Sequence, residues 1–399
     1  MMPRPLEGIV VLDVTVNIAG PSATQILSDL GARVIKVEPP GGDVSRRWAP
    51  QADGIATVFS AFNRGKESVV LDGKRAEGRE LLHRLARDAD VFVESMRPGK
   101  AAGIGLGWHE LHELNPRLIY CSINAFGDAG PMAGVAGFDA VIQAYSGLMD
   151  MTGYPDGEPA RVGGAIIDVG SGMWAALGIL VALRQRDRDG QGRRVPVTML
   201  GTAVGYLMHH LTSAHLAGVE PTRLGTAQHN FAPYQAMRAA DQMVMIGINS
   251  DAMWGRAAKA LGAPHLATDA RFATNSARVA NRSDLVSSIE ATIADMTACE
   301  VVERLAGVQV PASAIRSVGD LAKDPQLDAL GLWGTTPSGH TLLRSPLAEL
   351  DGALGDVALP GEQTASVLAE MGFSIDEIDE LVRTGVAGEP LRTGDEERV

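Results

Sequence analysis

Two stretches, Ile9-Val10-Val11-Leu12-Asp13-Val14 and Arg33-Val34-Ile35-Lys36-Val37-Glu38, bracket the part of the chain whose reading decides the fold. The first is a continuous, largely β-branched run, as expected of a strand covered on both faces. Between them, Pro21 to Leu30 carries a helical pattern that stops at Gly31, and the second run stops at Pro39-Pro40-Gly41-Gly42. A strand–helix–strand unit of this kind pairs its strands in parallel through a right-handed crossover. The alternation continues outward. Ser68 to Asp72, Ala89 to Glu94, Arg117 to Ile123 and Arg194 to Leu200 read as strands. Ala76 to Ala89, with Leu81, Leu82 and Leu85 on one face, reads as an amphipathic helix. Asp139 to Met151, Met173 to Arg186 and Thr202 to Ala217 read as further helices. The pattern predicts an α/β protein with a large, Rossmann-like, doubly wound parallel-sheet domain.

The character changes after Gly218, where turn-forming and polar residues run to Pro233. Gln235 to Ala240 and Gln242 to Ile248 then form a hairpin-like pair, followed by helical segments. The expected organisation is a large domain over residues 1–218, a linker over 219–234 and a small α+β domain over 235–307. A return linker over 308–330 leads to a C-terminal segment, 331–399, that rejoins a large domain, with charged, frayed residues from Pro390 onward.

Bulk properties exclude several classes. A length of 399 residues exceeds what one core usually holds, and a net charge of −13 argues against a nucleic-acid-binding surface. Cys121 and Cys299 are the only cysteines, without metal-ligand spacing, so neither a disulfide framework nor a metal site is expected. His209-His210 with His215 reads as helix packing. The N-terminus has no signal-peptide core, and the longest helical apolar run, Met173 to Leu183, falls short of the ~20 residues that span a bilayer. The expectation is a cytoplasmic protein with no membrane partner.

Chemistry gathers at few places. The loop Thr15-Val16-Asn17-Ile18-Ala19-Gly20-Pro21 lacks the Gly-x-Gly-x-x-Gly approach to a pyrophosphate, although Glu38 stands where a ribose-binding acid would. Two basic clusters, Asn63-Arg64-Gly65-Lys66 running on to Lys74, and Met96-Arg97-Pro98-Gly99-Lys100, sit at strand ends where a phosphate-bearing ligand would bind. In Gly163-Gly164-Ala165-Ile166-Ile167-Asp168-Val169-Gly170-Ser171-Gly172, an apolar strand-like run ends at a carboxylate before a helix. Asp168 there is either a helix N-cap or a covalent nucleophile toward an activated acyl group.

An ordered set of motifs breaks that tie. It includes Leu12-Asp13 with Ala19-Gly20-Pro21, Asn63-Arg64-Gly65-Lys66, Arg97-Pro98-Gly99, Gly137-Phe138-Asp139, Gln143, Asp168-Val169-Gly170-Ser171-Gly172 and Asp324-Pro325-Gln326. With these the chain resembles the family III CoA-transferases, the group of formyl-CoA transferase, carnitine CoA-transferase and α-methylacyl-CoA racemase. The resemblance implies an interlocked homodimer that moves coenzyme A from an acyl-CoA to a small carboxylic acid through an aspartyl-CoA thioester on Asp168, without a metal. It implies CoA contacts at Asn17, Ile18 and Ala19, at Leu71, Asp72 and Lys74, and at Ser95, Met96, Arg97, Pro98 and Gly99. Phe138, Gly170 and Gly172 are implied beside the substrate, the two glycines as oxyanion donors. The racemase members pair the same Asp with a His where this chain has Phe138, which favours transfer over the alternative, 2-methylacyl-CoA epimerisation. Arg46 or Arg47 would replace a basic residue that falls at Pro39. The stretch Gly225 to Asn230 holds one glycine, unlike the glycine-rich lid of formyl-CoA transferase.

Overall fold

The computed structural model describes residues 4–347, 350 and 352–389; the expected fraying from Pro390 onward lies outside them. The chain forms two compact units. The first comprises residues 4–146, 162–212 and the described residues from 325 on. Its centre is a sheet of seven strands: β1 (Val10–Asp13), β2 (Arg33–Glu38), β3 (Glu67–Leu71), β4 (Val91–Glu94), β5 (Ile119–Asn124), β6 (Arg194–Thr198) and β7 (Ala387–Gly388). They lie in the order β7-β3-β2-β1-β4-β5-β6, with β1 to β6 parallel. Short β7 runs antiparallel along β3.

The double cover follows from side-chain alternation along each strand. Leu12, Ile35, Phe92 and Tyr120 join one core with Leu81, Leu82 and Leu85 of the helix Ala76–Asp88. Their neighbours Val11, Val34, Val91, Ile119 and Cys121 join the opposite core with Ala23 and Leu27 of α1 (Ala19–Asp29). Three more helices matter for the site: α2 (Asp139–Tyr145), α3 (Ile166–Asp189) and α4 (Met199–Tyr206).

The second unit comprises Gly147–Arg161 and Ser213–Asp324. It has a three-stranded antiparallel sheet, Tyr234–Arg238, Met243–Gly247 and Ala312–Ala314, covered by helices. Trp254, Phe272, Leu285 and Ile289 fill its core.

Helical bounds depart from the sequence reading in instructive ways. The helix read from Met173 begins at Ile166, so Asp168 lies in a first helical turn and not at the end of a strand. Ile166 and Ile167 are β-branched, but the turn gains a cap from elsewhere in the chain. With 24 residues, this helix is long and apolar enough to cross a membrane by length and composition. Its buried residues, among them Ala175, Ala176 and Ile179, pack in the sheet's core. The helix read as Asp139 to Met151 ends at Tyr145, and the one read as Thr202 to Ala217 is two, Met199–Tyr206 and Met208–Ala217.

Candidate active site

Strand order reverses between β1 and β4. The chain leaving β1 enters α1 on one face, while the chain leaving β4 packs Ala101, Leu106 and Leu111 on the other. The backbones diverge there and leave a crevice at the carboxyl ends of the strands. A cavity of about 510 Å³ fills it. Residues 16–19 after β1, 95–98 after β4, 123–125 at the end of β5 and 135–138 before α2 line it, with Trp48, Asp168 and Met199.

The 16–19 loop is anchored from beneath by buried charge. Asp13, at the end of β1, accepts hydrogen bonds from the Thr15 N–H at 2.9 Å and from the Thr15 and Thr24 hydroxyls, each at 2.6 Å. Lys66 Nζ reaches Asp13 at 3.2 Å, and Lys36 Nζ donates to the Thr15 carbonyl at 2.9 Å and pairs with Asp43 at 3.0 Å. Burial alone would raise the Asp13 carboxyl, but the two lysines and two hydroxyls outweigh it and hold it at about 2. Above this base Asn17 adopts a left-handed backbone, φ 68°. That is a conformation Asn tolerates better than most residues.

Asp168 sits in the first turn of α3. Ala165, in the N-cap position, has no side chain with which to cap. Asp139 does it instead: its Oδ2 accepts the Ile167 N–H at 2.7 Å and the Asp168 N–H at 3.1 Å. The Asp168 carboxylate itself, half-buried, meets no hydrogen-bond donor and no cation among the described residues. Burial, and then the charge of Asp139, push it up to about 7. Near neutral pH it is part-ionised, poorly solvated and sterically free, which suits a nucleophile.

The structure therefore brings together Asn17, Ile18, Ala19, Ser95, Met96, Arg97, Pro98, Phe138 and Asp168 around one cavity. The Arg97 guanidinium makes no ion pair among the described residues, and Phe138 is 69% exposed. Gly99, φ 79°, heads the short helix after the 95–98 loop without lining the cavity. Leu71 is buried in the core, and Asp72 and exposed Lys74 belong to the turn after β3, two strands from β1.

Several site expectations need correction. The Gly170 and Gly172 N–H groups lie inside α3, beyond its first turn, where the helical ladder uses them. These glycines serve close packing instead. A Cβ at Gly170 would stand 1.9 Å from the Tyr206 hydroxyl of α4, and one at Gly172 would stand 1.9 Å from Ser22 Oγ and 2.9 Å from the Ala19 carbonyl of α1. Arg64 and Lys66 are not a surface phosphate cluster; both are buried, Arg64 against Asp29 at 2.9 Å. Glu38 and Arg46 are likewise spent on each other at 2.6 Å, with Ser68 donating to Glu38, so Glu38 is no ribose acid and Arg46 no free phosphate ligand. Sequence reasoning also missed contributors. Residues 123–125 follow from the switch-point rule, since they end a strand beside β4. Asp139 and Gln143 stand among the family motifs, but their part in capping α3 carries no local signal, because the N–H groups they hold, on Val162, Ile167 and Asp168, lie 19 to 29 positions away.

Comparison with known proteins identifies the family. The sequence pattern described as CoA-transferase family III matches residues 6–360. Succinate–glutarate CoA-transferase of Agrobacterium fabrum is 38% identical over 336 residues, spanning 82% of this chain and 84% of the relative. Acetyl-CoA:oxalate CoA-transferase of Acetobacter aceti is 38% identical over 327 residues, spanning 82% of this chain and 84% of the relative. The crystal structure of a CAIB/BAIF family protein from Brucella suis superposes with a TM-score of 0.84 at 39% identity, covering 93% of this chain and 100% of that one. A cavity at the switch point, the free carboxylate within it and this breadth of similarity lead to one assignment: the chain belongs to CoA-transferase family III and is a CoA-transferase.

Proposed function

We propose that this enzyme moves CoA from an acyl-CoA donor to a small carboxylic acid through an aspartyl-CoA thioester on Asp168. The observation that carries the reading is the Asp168 carboxylate, without a hydrogen-bond donor or cation among the described residues, in a cavity bounded by the 16–19 and 95–98 loops. A carboxylate oxygen of Asp168 attacks the thioester carbonyl, the C–S bond breaks and CoA leaves as thiolate. The thiolate attacks the Asp168 carbonyl of the mixed anhydride, releasing the donor acid and forming the thioester. The acceptor carboxylate then repeats the two displacements in reverse, restoring Asp168. No net proton is transferred, so the site needs no dedicated general base.

Arg97, aided by Lys74 further out, supplies charge for the CoA phosphates, and the apolar walls around Phe138 and Met199 limit hydrolysis of the anhydride. Among the described residues the cavity lining holds one carboxylate and no histidine, which favours transfer over epimerisation. The relatives' named acids make succinyl- and acetyl-CoA with glutarate and oxalate the first panel to test. A homodimer is part of the proposal. Met173, Trp174, Leu177 and Val181 form an exposed apolar stripe on α3 that a second copy would cover. Sedimentation at micromolar concentration should give the dimer mass.

Hydroxylamine added with the donor acyl-CoA should convert Asp168 to its hydroxamate, visible by peptide mass spectrometry. Asp168→Ala should lose at least about 10³-fold in kcat. Near-normal transfer by that variant would remove the mechanism.

A further inference from the structure

α3 starts with a residue that cannot cap it, and a carboxylate from another helix closes the gap. Asp139 Oδ2 holds the Ile167 and Asp168 N–H groups, while its Oδ1 accepts from Gln143 Nε2 at 2.5 Å. Gln143 Oε1 in turn accepts the Val162 N–H at 2.9 Å, fixing the chain that leads into α3. Asp139 is 8% exposed, Gln143 is fully buried, and no lysine or arginine pairs with Asp139 among the described residues. A buried carboxylate without a counter-cation is unfavourable. Two N–H groups, one amide and the positive end of a 24-residue helix hold this one in place. A serine or asparagine at position 165 would cap the helix without placing a second charge there.

We propose that Asp139, held by Gln143, is a positioning residue for Asp168: it fixes the turn that presents the Asp168 carboxylate to the cavity, and its negative charge strengthens that carboxylate as a nucleophile. The kinetic consequences rest on the CoA-transfer reading; the structural coupling does not. The charged and titratable groups on the surrounding elements are few. α4 contributes Tyr206, whose hydroxyl donates to the Ile166 carbonyl at 3.3 Å. α1 contributes Asp29, paired with Arg64, and the 95–98 loop contributes Arg97. Asp139 is the one charged group that raises Asp168, adding to the effect of burial.

The test uses the full-length enzyme and the variants Asp139→Asn and Gln143→Leu. Single-turnover formation of the enzyme–CoA thioester from succinyl-CoA is followed against pH. In parallel, the ¹³C carboxyl shift of Asp168, identified by difference from Asp168→Asn, is titrated without CoA. The difference spectrum separates Asp168 from Glu94, which burial also pushes up to about 7. Asp139→Asn should move both midpoints toward acid by about one pH unit and lower kcat about tenfold, with KM within about threefold. Gln143→Leu keeps the charge and should lower kcat several-fold with no acid shift. An Asp168 carboxyl midpoint unmoved by Asp139→Asn overturns the proposal, as does a loss confined to KM. If wild-type enzyme forms no thioester from either succinyl- or acetyl-CoA, the transfer reading falls and the carboxyl titration alone decides the coupling. Should Asp139→Asn not fold, an unchanged kcat in Gln143→Leu overturns the positioning role.

Discussion

Two buried acid clusters lie within the first unit, and they are built on opposite principles. Around Asp13, two lysines and two hydroxyls surround the carboxylate and hold it at about 2, so it is ionised at every working pH. Around Asp168, burial and then the charge of another carboxylate, Asp139, raise the group to about 7. The first arrangement fixes a backbone loop; the second leaves a side chain facing a cavity without a hydrogen-bond donor among the described residues. The contrast separates a structural acid from the one proposed to do chemistry. The structural acid has its hydrogen-bonding capacity filled by neighbours, whereas the proposed nucleophile lines a cavity.

Removing the compensation from the first cluster should have the largest effect on stability. Lys66→Met leaves the Asp13 charge buried beside Lys36 alone and should cost about 3–5 kcal/mol in urea unfolding. A loss below about 1 kcal/mol would contradict the compensating role of Lys66 beside Asp13.

The contact that sets α3 against α1 comes next. Gly172→Ala drives a Cβ into Ser22 and the Ala19 backbone, at the start of the helix that follows the anchored loop. It should cost about 1–3 kcal/mol and should weaken acyl-CoA binding as well. Unchanged stability would show that the two helices part easily and that the clusters are mechanically independent.

The smallest effect is the most diagnostic. Asp168 is raised from 3.8 to about 7, so the folded state binds its proton more tightly than the unfolded chain does. Stability should therefore fall as pH rises from about 4 to about 7. Asp168→Asn should be more stable than wild type above pH 7 by on the order of 1 kcal/mol, after allowance for partial exposure. That gain should vanish near pH 4. Asp13 runs the other way: its contribution is present above 3.8 and is lost as pH falls toward about 2. Thermal melts across this range separate the two clusters, and a gain for Asp168→Asn that persists at pH 4 would contradict the assignment.

The sequence by itself determined the six parallel strands of the sheet, but not the short antiparallel β7 at its edge. Runs such as Val10–Asp13 and Arg33–Glu38 carry their strand character locally, and the absence of a glycine fingerprint after β1 already excluded the usual dinucleotide grip. It also put Asp168, Arg97 and residues 17–19 forward, through motifs matched one by one to a known family. Only the tertiary structure decided which charges are spent and which are free. Arg64, Lys66 and Arg46 look like phosphate ligands in one dimension and prove to be ion-paired in three. The capping of α3 by Asp139 was equally invisible, because a hydrogen bond between residues 28 and 29 positions apart leaves no periodic trace. Local pattern reports the backbone's preferences. The state of a charged side chain is set by what folding brings within a few ångströms of it.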